Sequence, residues 1–124
     1  MQDLTKAEEN IMQCVWKLGN NIQTSEIMQC LKEDFGKEYI NSTLCVFMSY
    51  LRKKGYVSFQ KKGNAYVYSP LITRDEYARE KLLLLLNGCF EGSLPSLFEI
   101  MLKDAGKEEK KKIVRVLEEY IQEI

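Results

Sequence analysis

The stretch from Asn41 to Pro70 constrains the fold more than any other part of this sequence. It begins with apolar residues at spacings of three and four, which is the pattern of a helix with one buried face. These residues are Leu44, Phe47, Met48 and Leu51. Basic residues then fill the last turn, and Gly55 stands where a left-handed C-cap would end the helix. The sequence therefore predicts a helix that stops at Gly55.

Two runs rich in β-branched and aromatic residues follow, Tyr56–Lys61 and Tyr66–Pro70, and they predict a hairpin. The residues between them, Lys62-Gly63-Asn64-Ala65, have the composition of a tight turn. A helix followed by a basic hairpin is the outline of a recognition helix and its wing, and the whole stretch carries five positive residues and no acidic one. The same pattern also fits a helix with a solvated basic end beside an ordinary hairpin.

The helices on the N-terminal side complete this outline. Thr5 and Glu8 form a capping box that opens a first helix, and a second helix of about Thr24–Phe35 would be capped by Thr24 or Ser25. The inward stripe of the first helix consists of Ala7, Ile11, Cys14, Val15 and Leu18. Three helices and a hairpin predict a winged helix-turn-helix domain over residues 1–72. The alternative is a small three-helix bundle with an incidental β-ribbon.

Composition limits the possible functions. The 124 residues support one domain or two small lobes, and 18 basic and 18 acidic residues give a net charge of zero. A nucleic-acid footprint must therefore be a local patch. No apolar run is longer than that of Leu82–Leu86, which is far shorter than the roughly 20 residues of a membrane span. We expect a cytoplasmic protein without membrane insertion.

Cysteine and histidine usage argues against metal and catalytic sites. There is no histidine, and the four cysteines form no CxxC or CxC pair, so zinc sites of the usual spacings and a disulfide framework are not expected. The sequence also lacks a nucleophile elbow and a glycine-rich phosphate loop. We therefore expect no enzyme activity, no cofactor and no metal. Cys45, next to basic residues, is either a reactive thiol or a small residue that suits a groove.

The C-terminal part, residues 73–124, predicts three helices. A second capping box at Thr73 and Glu76 starts the first of them, and breaks are expected at Asn87-Gly88 and at Asp104-Ala105-Gly106. Their apolar surface exceeds what so small a lobe can bury internally, which predicts a helical dimerisation domain. The alternative is packing on the N-terminal lobe. The predicted interface residues are Leu82, Leu85, Leu86, Leu94, Leu97, Phe98, Met101, Ile113, Leu117, Tyr120 and Ile121.

Four groups of motifs follow one another along nearly the whole chain. They are Leu4-Thr5-x-Ala7-Glu8-x-x-Ile11-Met12-x-x-Val15-Trp16, Lys54-Gly55-Tyr56-Val57, Tyr68-Ser69-Pro70-Leu71 with Asp75-Glu76-Tyr77, and Phe90-Glu91-Gly92-Ser93-Leu94. In this order they resemble the penicillinase-repressor (BlaI/MecI/CopY) family of winged-helix transcriptional regulators. The resemblance implies a homodimeric repressor that binds an inverted-repeat DNA operator. It also implies a membrane-bound sensor metallopeptidase as a partner.

The chain departs from the family pattern in three places. Family members commonly have basic or threonine side chains at outward positions of the recognition helix, where this chain has Cys45, Val46 and Tyr50. The Asn-Phe bond at which proteolysed members are cut is absent, because the nearby phenylalanine follows leucine in Leu97-Phe98. The paired CxC motifs of copper-responsive members are absent as well.

The predicted DNA contacts combine polar readers on the helix with lysines around it. They are Lys37, Asn41, Ser42, Thr43, Cys45, Val46, Ser49, Tyr50, Lys53, Lys54, Lys61 and Lys62. An apolar side chain such as Val46 can pack on a thymine methyl group. The alternative function is a winged-helix protein–protein interaction module that has lost specific DNA readout, which the zero net charge and the apolar Cys45-Val46-Phe47 run favour.

Overall fold

The computed structural model describes the whole chain, Met1–Ile124, as six helices and one two-stranded antiparallel sheet. The elements are α1 (Lys6–Leu18), α2 (Thr24–Phe35), α3 (Asn41–Lys53), β1 (Val57–Lys62), β2 (Ala65–Pro70), α4 (Arg74–Cys89), α5 (Leu94–Asp104) and α6 (Lys107–Ile121). The predicted fold class, mainly helical with a small hairpin, is confirmed. The chain divides into two compact units, Met1–Ala78 and Arg79–Ile124. No helix is both long and apolar enough to cross a membrane.

Both predicted capping boxes are confirmed. The Thr5 hydroxyl accepts the Glu8 N–H at 3.2 Å, and the Glu8 carboxylate accepts the Thr5 N–H at 2.8 Å. At the start of α4, the Thr73 hydroxyl accepts the Glu76 N–H at 3.0 Å, and the Glu76 carboxylate accepts the Thr73 N–H at 3.4 Å. These side chains satisfy N–H groups that have no partner within the helix.

The predicted cap of α2 was wrong. Its N-cap is Gln23 rather than Thr24 or Ser25, and the Gln23 N–H donates to the Glu26 carboxylate at 3.1 Å. With Gln23 as the N-cap, the helix begins at Thr24, so Thr24 and Ser25 both lie inside it. Glutamine is uncommon at this position, so the local pattern pointed to its neighbours.

The first unit is built around one apolar core from α1, α2, α3 and the hairpin. On α3 the predicted stripe is largely confirmed, with Phe47 only partly buried. On α1 the predicted Leu18 is exposed because the helix ends there, while Met12 is fully buried and was missed. The buried cluster consists of Ile11, Met12, Cys14, Val15, Ile22, Ile27, Cys30, Leu31, Leu44, Met48, Leu51, Tyr56, Val57, Tyr68 and Tyr77.

The hairpin is attached to the helices at its base. Lys62 pairs with Ala65, which leaves Gly63-Asn64 as a two-residue turn with Gly63 at φ 63°. Tyr56, predicted to start the first strand, is instead a core residue whose hydroxyl donates to the Gln2 carbonyl at 2.6 Å. Backbone hydrogen bonds between Ile22 and Tyr68, at 2.9 and 2.8 Å, join β2 to the loop before α2.

The first turn of α4 belongs to the first unit. The Tyr77 hydroxyl donates to the Glu9 carboxylate at 2.7 Å, and its ring lies 5.4 Å from that of Trp16. The Trp16 indole N–H in turn donates to the Ile72 carbonyl at 2.7 Å. This packing carries the first unit to Ala78, beyond the boundary expected at residue 72. The capping box at Thr73 predicted where α4 begins, but the packing of the first unit continues into the first turn of that helix.

The second unit contains the rest of α4 with α5 and α6. Helix α4 continues through Gly88 to Cys89, past the stop predicted at Asn87-Gly88. The reversal instead uses Glu91 and Gly92, which have φ of 51° and 78° and lie just before the Ser93 cap of α5. Helix α6 ends at Ile121. Among the large apolar side chains of the second unit, only those of Leu86 and Leu97 are buried.

Candidate nucleic-acid interface

The N-terminus of α3 is open. Its N-cap is Ile40, no side chain caps it, and its first turn carries no acidic residue. By contrast, α1 and α4 each begin with a capping box and acidic side chains. The N–H groups and the positive dipole end of a helix favour an anion. The first turn of α3 is therefore suited to a phosphate or to the acceptor atoms of a base edge.

The outward face of α3 is polar or apolar but uncharged over its first three turns. The exposed fractions of Val46 and Tyr50 are 52% and 49%, while Leu44 and Met48 on the opposite face are fully buried. Among the other predicted readers, Asn41, Ser42 and Cys45 are exposed, and Thr43 and Ser49 are partly buried. This face can offer hydroxyl groups, a thiol and apolar contacts to a groove.

Four lysines of the predicted set are exposed around this helix. Lys37 lies in the turn before α3, Lys53 ends α3, and Lys61 and Lys62 lie at the tip of β1. None of the four takes part in an ion pair within the chain. Their charges are therefore available to an anionic partner.

Lys54 is used differently. Its ammonium group lies 2.7 Å from the Glu8 carboxylate and donates to the Asp3 carbonyl at 3.0 Å. Glu8 is 2% exposed, so Lys54 neutralises a buried charge. Burial tends to raise the pKa of Glu8, but hydrogen bonds from Lys54 and Thr5 outweigh it and lower that pKa. A phosphate contact would break this pair, so we leave Lys54 out of the interface.

The aromatic residues Phe59 and Tyr66 lie on the same hairpin as Lys61 and Lys62. The Arg52 guanidinium lies 3.4 Å from the centroid of the Phe59 ring. Both line a cavity of about 430 Å³ with Ser49, Lys53, Val57 and Ser58. Tyr66, half exposed and paired with Lys61, was not in the predicted set. The burial of β2 does not alternate, since Val67 and Tyr68 are both buried, so the period of a strand gave no signal that singles out Tyr66.

The predicted dimer residues fall into three groups. Leu86 and Leu97 are already buried within the second unit, Phe98 and Ile113 are partly buried, and the rest are exposed. An apolar cleft of about 550 Å³ lies between α5 and α6 and is lined by Leu102, Val114 and Leu117 among others. Further exposed apolar residues of this unit lie outside the predicted interface set, and they are Leu83, Leu84, Ile100, Val114, Val116 and Ile124.

Comparison with known proteins gives one consistent family. The family model described as penicillinase repressor matches residues 4–123. The penicillinase repressor of Bacillus licheniformis is 28% identical over 119 residues, which cover 94% of this chain and 91% of that protein.

Two solved structures are similar to this chain. The solution structure of the DNA-binding domain of the repressor BlaI matches with a TM-score of 0.50 and 28% identity, over 62% of this chain and 94% of that one. The structure of RosR from H. salinarum matches with a TM-score of 0.53 and 18% identity, over 99% of this chain and 98% of that one. The likeness to RosR concerns the fold alone.

Proposed function

The chain belongs to the penicillinase repressor family, whose members are DNA-binding transcription regulators and not enzymes, and we propose that it represses transcription as a homodimer on an inverted-repeat operator. The first unit would bind DNA and the second would hold two chains together. The observation that carries the DNA-binding half is the uncharged outward face of α3, with an uncapped N-terminus and four unpaired lysines around it.

In this proposal α3 lies in the major groove. Ser42, Cys45 and Val46 occupy its first turns, the part of a recognition helix that contacts base edges. Hydroxyl groups can bond to any base, and Val46 can pack on a thymine methyl group. Because no arginine lies on this face, we expect discrimination toward the low end of the range of about 10³–10⁷ for specific binders.

The lysines would supply most of the affinity. Two copies of Lys37, Lys53, Lys61 and Lys62 give about eight phosphate contacts in a dimer. Contacts in that number lower affinity by roughly 10³–10⁵-fold between about 50 and 200 mM salt. The chain's zero net charge is no obstacle, since these contacts depend on the local patch.

The exposed apolar residues of α4, α5 and α6 support the homodimer. Large exposed apolar patches on soluble proteins mark interaction surfaces, and a second copy of the chain would cover these residues symmetrically. A two-fold axis would also present two copies of α3, which is the geometry that an inverted repeat requires. Leu82, Leu85, Leu94, Met101, Leu117, Tyr120 and Ile121 are the exposed members of the proposed interface.

The family resemblance implies a membrane-bound sensor metallopeptidase as a partner. Whether such a protease could cut this chain depends on the backbone around the candidate bond. Leu97-Phe98, the bond nearest to the family's cleavage site, lies inside α5 with Leu97 buried. A protease needs an extended backbone, so cutting there would require α5 to unfold locally. We therefore do not include proteolysis at this bond in the proposed mechanism.

A selection of genomic fragments tests the proposal. Purified protein is incubated with fragmented DNA of the source organism at about 150 mM salt, and bound fragments are sequenced and footprinted. We expect one motif with two-fold symmetry, whose half-sites lie about one helical turn or a multiple of it apart. Recovery of fragments with no common motif would contradict operator recognition. Asymmetric footprints over a single half-site would contradict the dimer.

A further inference from the structure

Two buried cysteines and one carboxylate meet where α1 and α2 pack together. Cys14 is on α1, and Cys30 and Asp34 are on α2. Their ligand atoms, two sulfurs and one oxygen, all lie within 4.8 Å of one another. The Cys30 thiol donates to the Asp34 carboxylate at 3.4 Å. Spacing rules applied to the sequence miss this group because its members come from two helices.

We propose that Cys14, Cys30 and Asp34 bind a thiophilic divalent cation such as Zn²⁺ or Cd²⁺. Thiolate sulfur and carboxylate oxygen are the donors that such ions take in proteins. With Zn–S near 2.3 Å and Zn–O near 2.1 Å, tetrahedral ligand atoms lie about 3.5–3.8 Å apart. The ligand atoms therefore need to move toward one another by only about 1 Å to reach bonding positions. Both thiols release their protons to solvent when the metal binds.

One of the three proposed ligands lies at a surface opening. Cys30 lines an opening of about 390 Å³ together with Lys17, Ser25 and Gln29, so an ion could approach the cluster from this side. A water molecule in this opening would complete a tetrahedral site with three protein ligands. A pair of cysteines serving only as core packing would need neither the carboxylate nor this opening.

Lys17 pairs with the carboxylate that the proposed site would use. Its ammonium group lies 2.9 Å from the same Asp34 oxygen that accepts the Cys30 thiol. Both side chains of this ion pair are solvent-accessible, so the pair can open at little cost. Metal binding would displace Lys17, which makes this lysine a competitor that weakens the metal affinity.

A metal held by both helices would stabilise the first unit, because the three donors come together only when it is folded. Helices α1 and α2 form the support of α3, so the ion would stiffen the base of the DNA-binding unit. This inference does not depend on DNA binding or on the dimer.

The test uses reduced full-length protein that carries Cys45→Ser and Cys89→Ser, which removes the two exposed thiols. Cd²⁺ is titrated in while the ultraviolet sulfur-to-cadmium charge-transfer absorption and the melting temperature are followed. We expect one ion per chain, displacement by Zn²⁺, and a rise in melting temperature on the order of 10 °C in excess metal.

Three further variants separate metal binding from packing. Cys30→Ser should abolish the absorption band, and Asp34→Asn should weaken Cd²⁺ binding about tenfold or more without changing the fold. Lys17→Ala should strengthen binding, an effect that simple core packing cannot produce. The proposal is overturned if the double-serine protein does not bind Cd²⁺. Unchanged affinity in both Asp34→Asn and Lys17→Ala would overturn it as well.

Discussion

The two units of this chain treat apolar surface in opposite ways. In Met1–Ala78, three helices and a hairpin enclose a core in which side chains such as Leu44 and Tyr56 are completely buried. In Arg79–Ile124, only Leu86 and Leu97 are buried, while the leucines just before Leu86 are exposed. The first unit therefore has the core of an independent domain, whereas the second leaves most of its large apolar side chains exposed, which is the feature that supports the proposed dimer.

The hydrogen bonds sharpen this contrast. In the first unit, polar side chains join segments far apart in sequence, as Lys54 and Glu8 do across 46 positions. Trp16 reaches the Ile72 carbonyl across 56 positions. The first of these bonds ties the C-terminal end of α3 to α1. If α3 binds DNA as proposed, this attachment reduces the conformational freedom that it loses on binding.

The largest expected effect comes from placing a charge in the exposed apolar surface of the second unit. Leu117→Asp would bury an unpaired carboxylate in the proposed dimer interface, at a cost of several kcal/mol. We expect a monomer at micromolar concentration by light scattering, with the first unit still folded. Arg115→Asp, at an exposed polar position of the same helix, is the control and should remain dimeric. A Leu117→Asp dimer would move the interface elsewhere.

Next in size is the loss of the buried ion pair in the first unit. Lys54→Ala removes the counter-ion of the buried Glu8 carboxylate, which keeps only its hydrogen bond from the Thr5 N–H, and should cost about 3 kcal/mol of unfolding free energy. The neighbouring Lys53→Ala removes an exposed, unpaired charge and should leave stability within about 0.5 kcal/mol while weakening DNA binding. Denaturant unfolding of both variants measures this. Equal stability losses would contradict the division of roles between the two lysines.

The wing should act on all DNA sequences alike. Replacing Lys61 and Lys62 by alanine removes about four phosphate contacts per dimer, which should lower the slope of log affinity against log salt by about 3–4. Titrations on a specific and a random duplex at several salt concentrations give both slopes. An effect limited to the specific duplex would mean that the wing reads bases.

A smaller effect is expected from the outward face of α3. Val46→Arg adds the side chain that most often reads guanine, and one such bidentate contact is worth about 1–3 kcal/mol. We expect tighter binding to most DNA and a half-site preference shifted toward guanine, measured by repeating the fragment selection. If neither affinity nor preference changes, α3 does not lie in the groove, and a protein–protein interaction module becomes the better account.

The sequence predicted those features of the fold that depend on interactions between residues close together in the chain. The capping boxes at Thr5 and Thr73, the course of α2 and the two-residue turn of the hairpin all depend on neighbouring residues, and the structure contains them. The role of Lys54 could not be predicted, because its partner Glu8 is distant in sequence. The sequence likewise could not predict that Cys14 and Cys30 lie close together, because they belong to different helices.

The leucine run shows a second limit. Five consecutive leucines, Leu82–Leu86, have no helical periodicity, so the sequence could not identify Leu86 as the buried one. The reversal after α4 was also misplaced, because it uses Glu91 and Gly92 rather than the expected Asn87-Gly88. Packing between helices, not local preference, decides which side of such a run remains available to a partner.

The most direct test of the account is the mass of the protein–DNA complex in solution. Sedimentation equilibrium on the selected operator should give two chains per duplex. A duplex in which one half-site is scrambled should bind far more weakly, because the second unit couples the two α3 helices. One chain per duplex, with equal affinity for the intact and the scrambled operator, would contradict a homodimeric repressor.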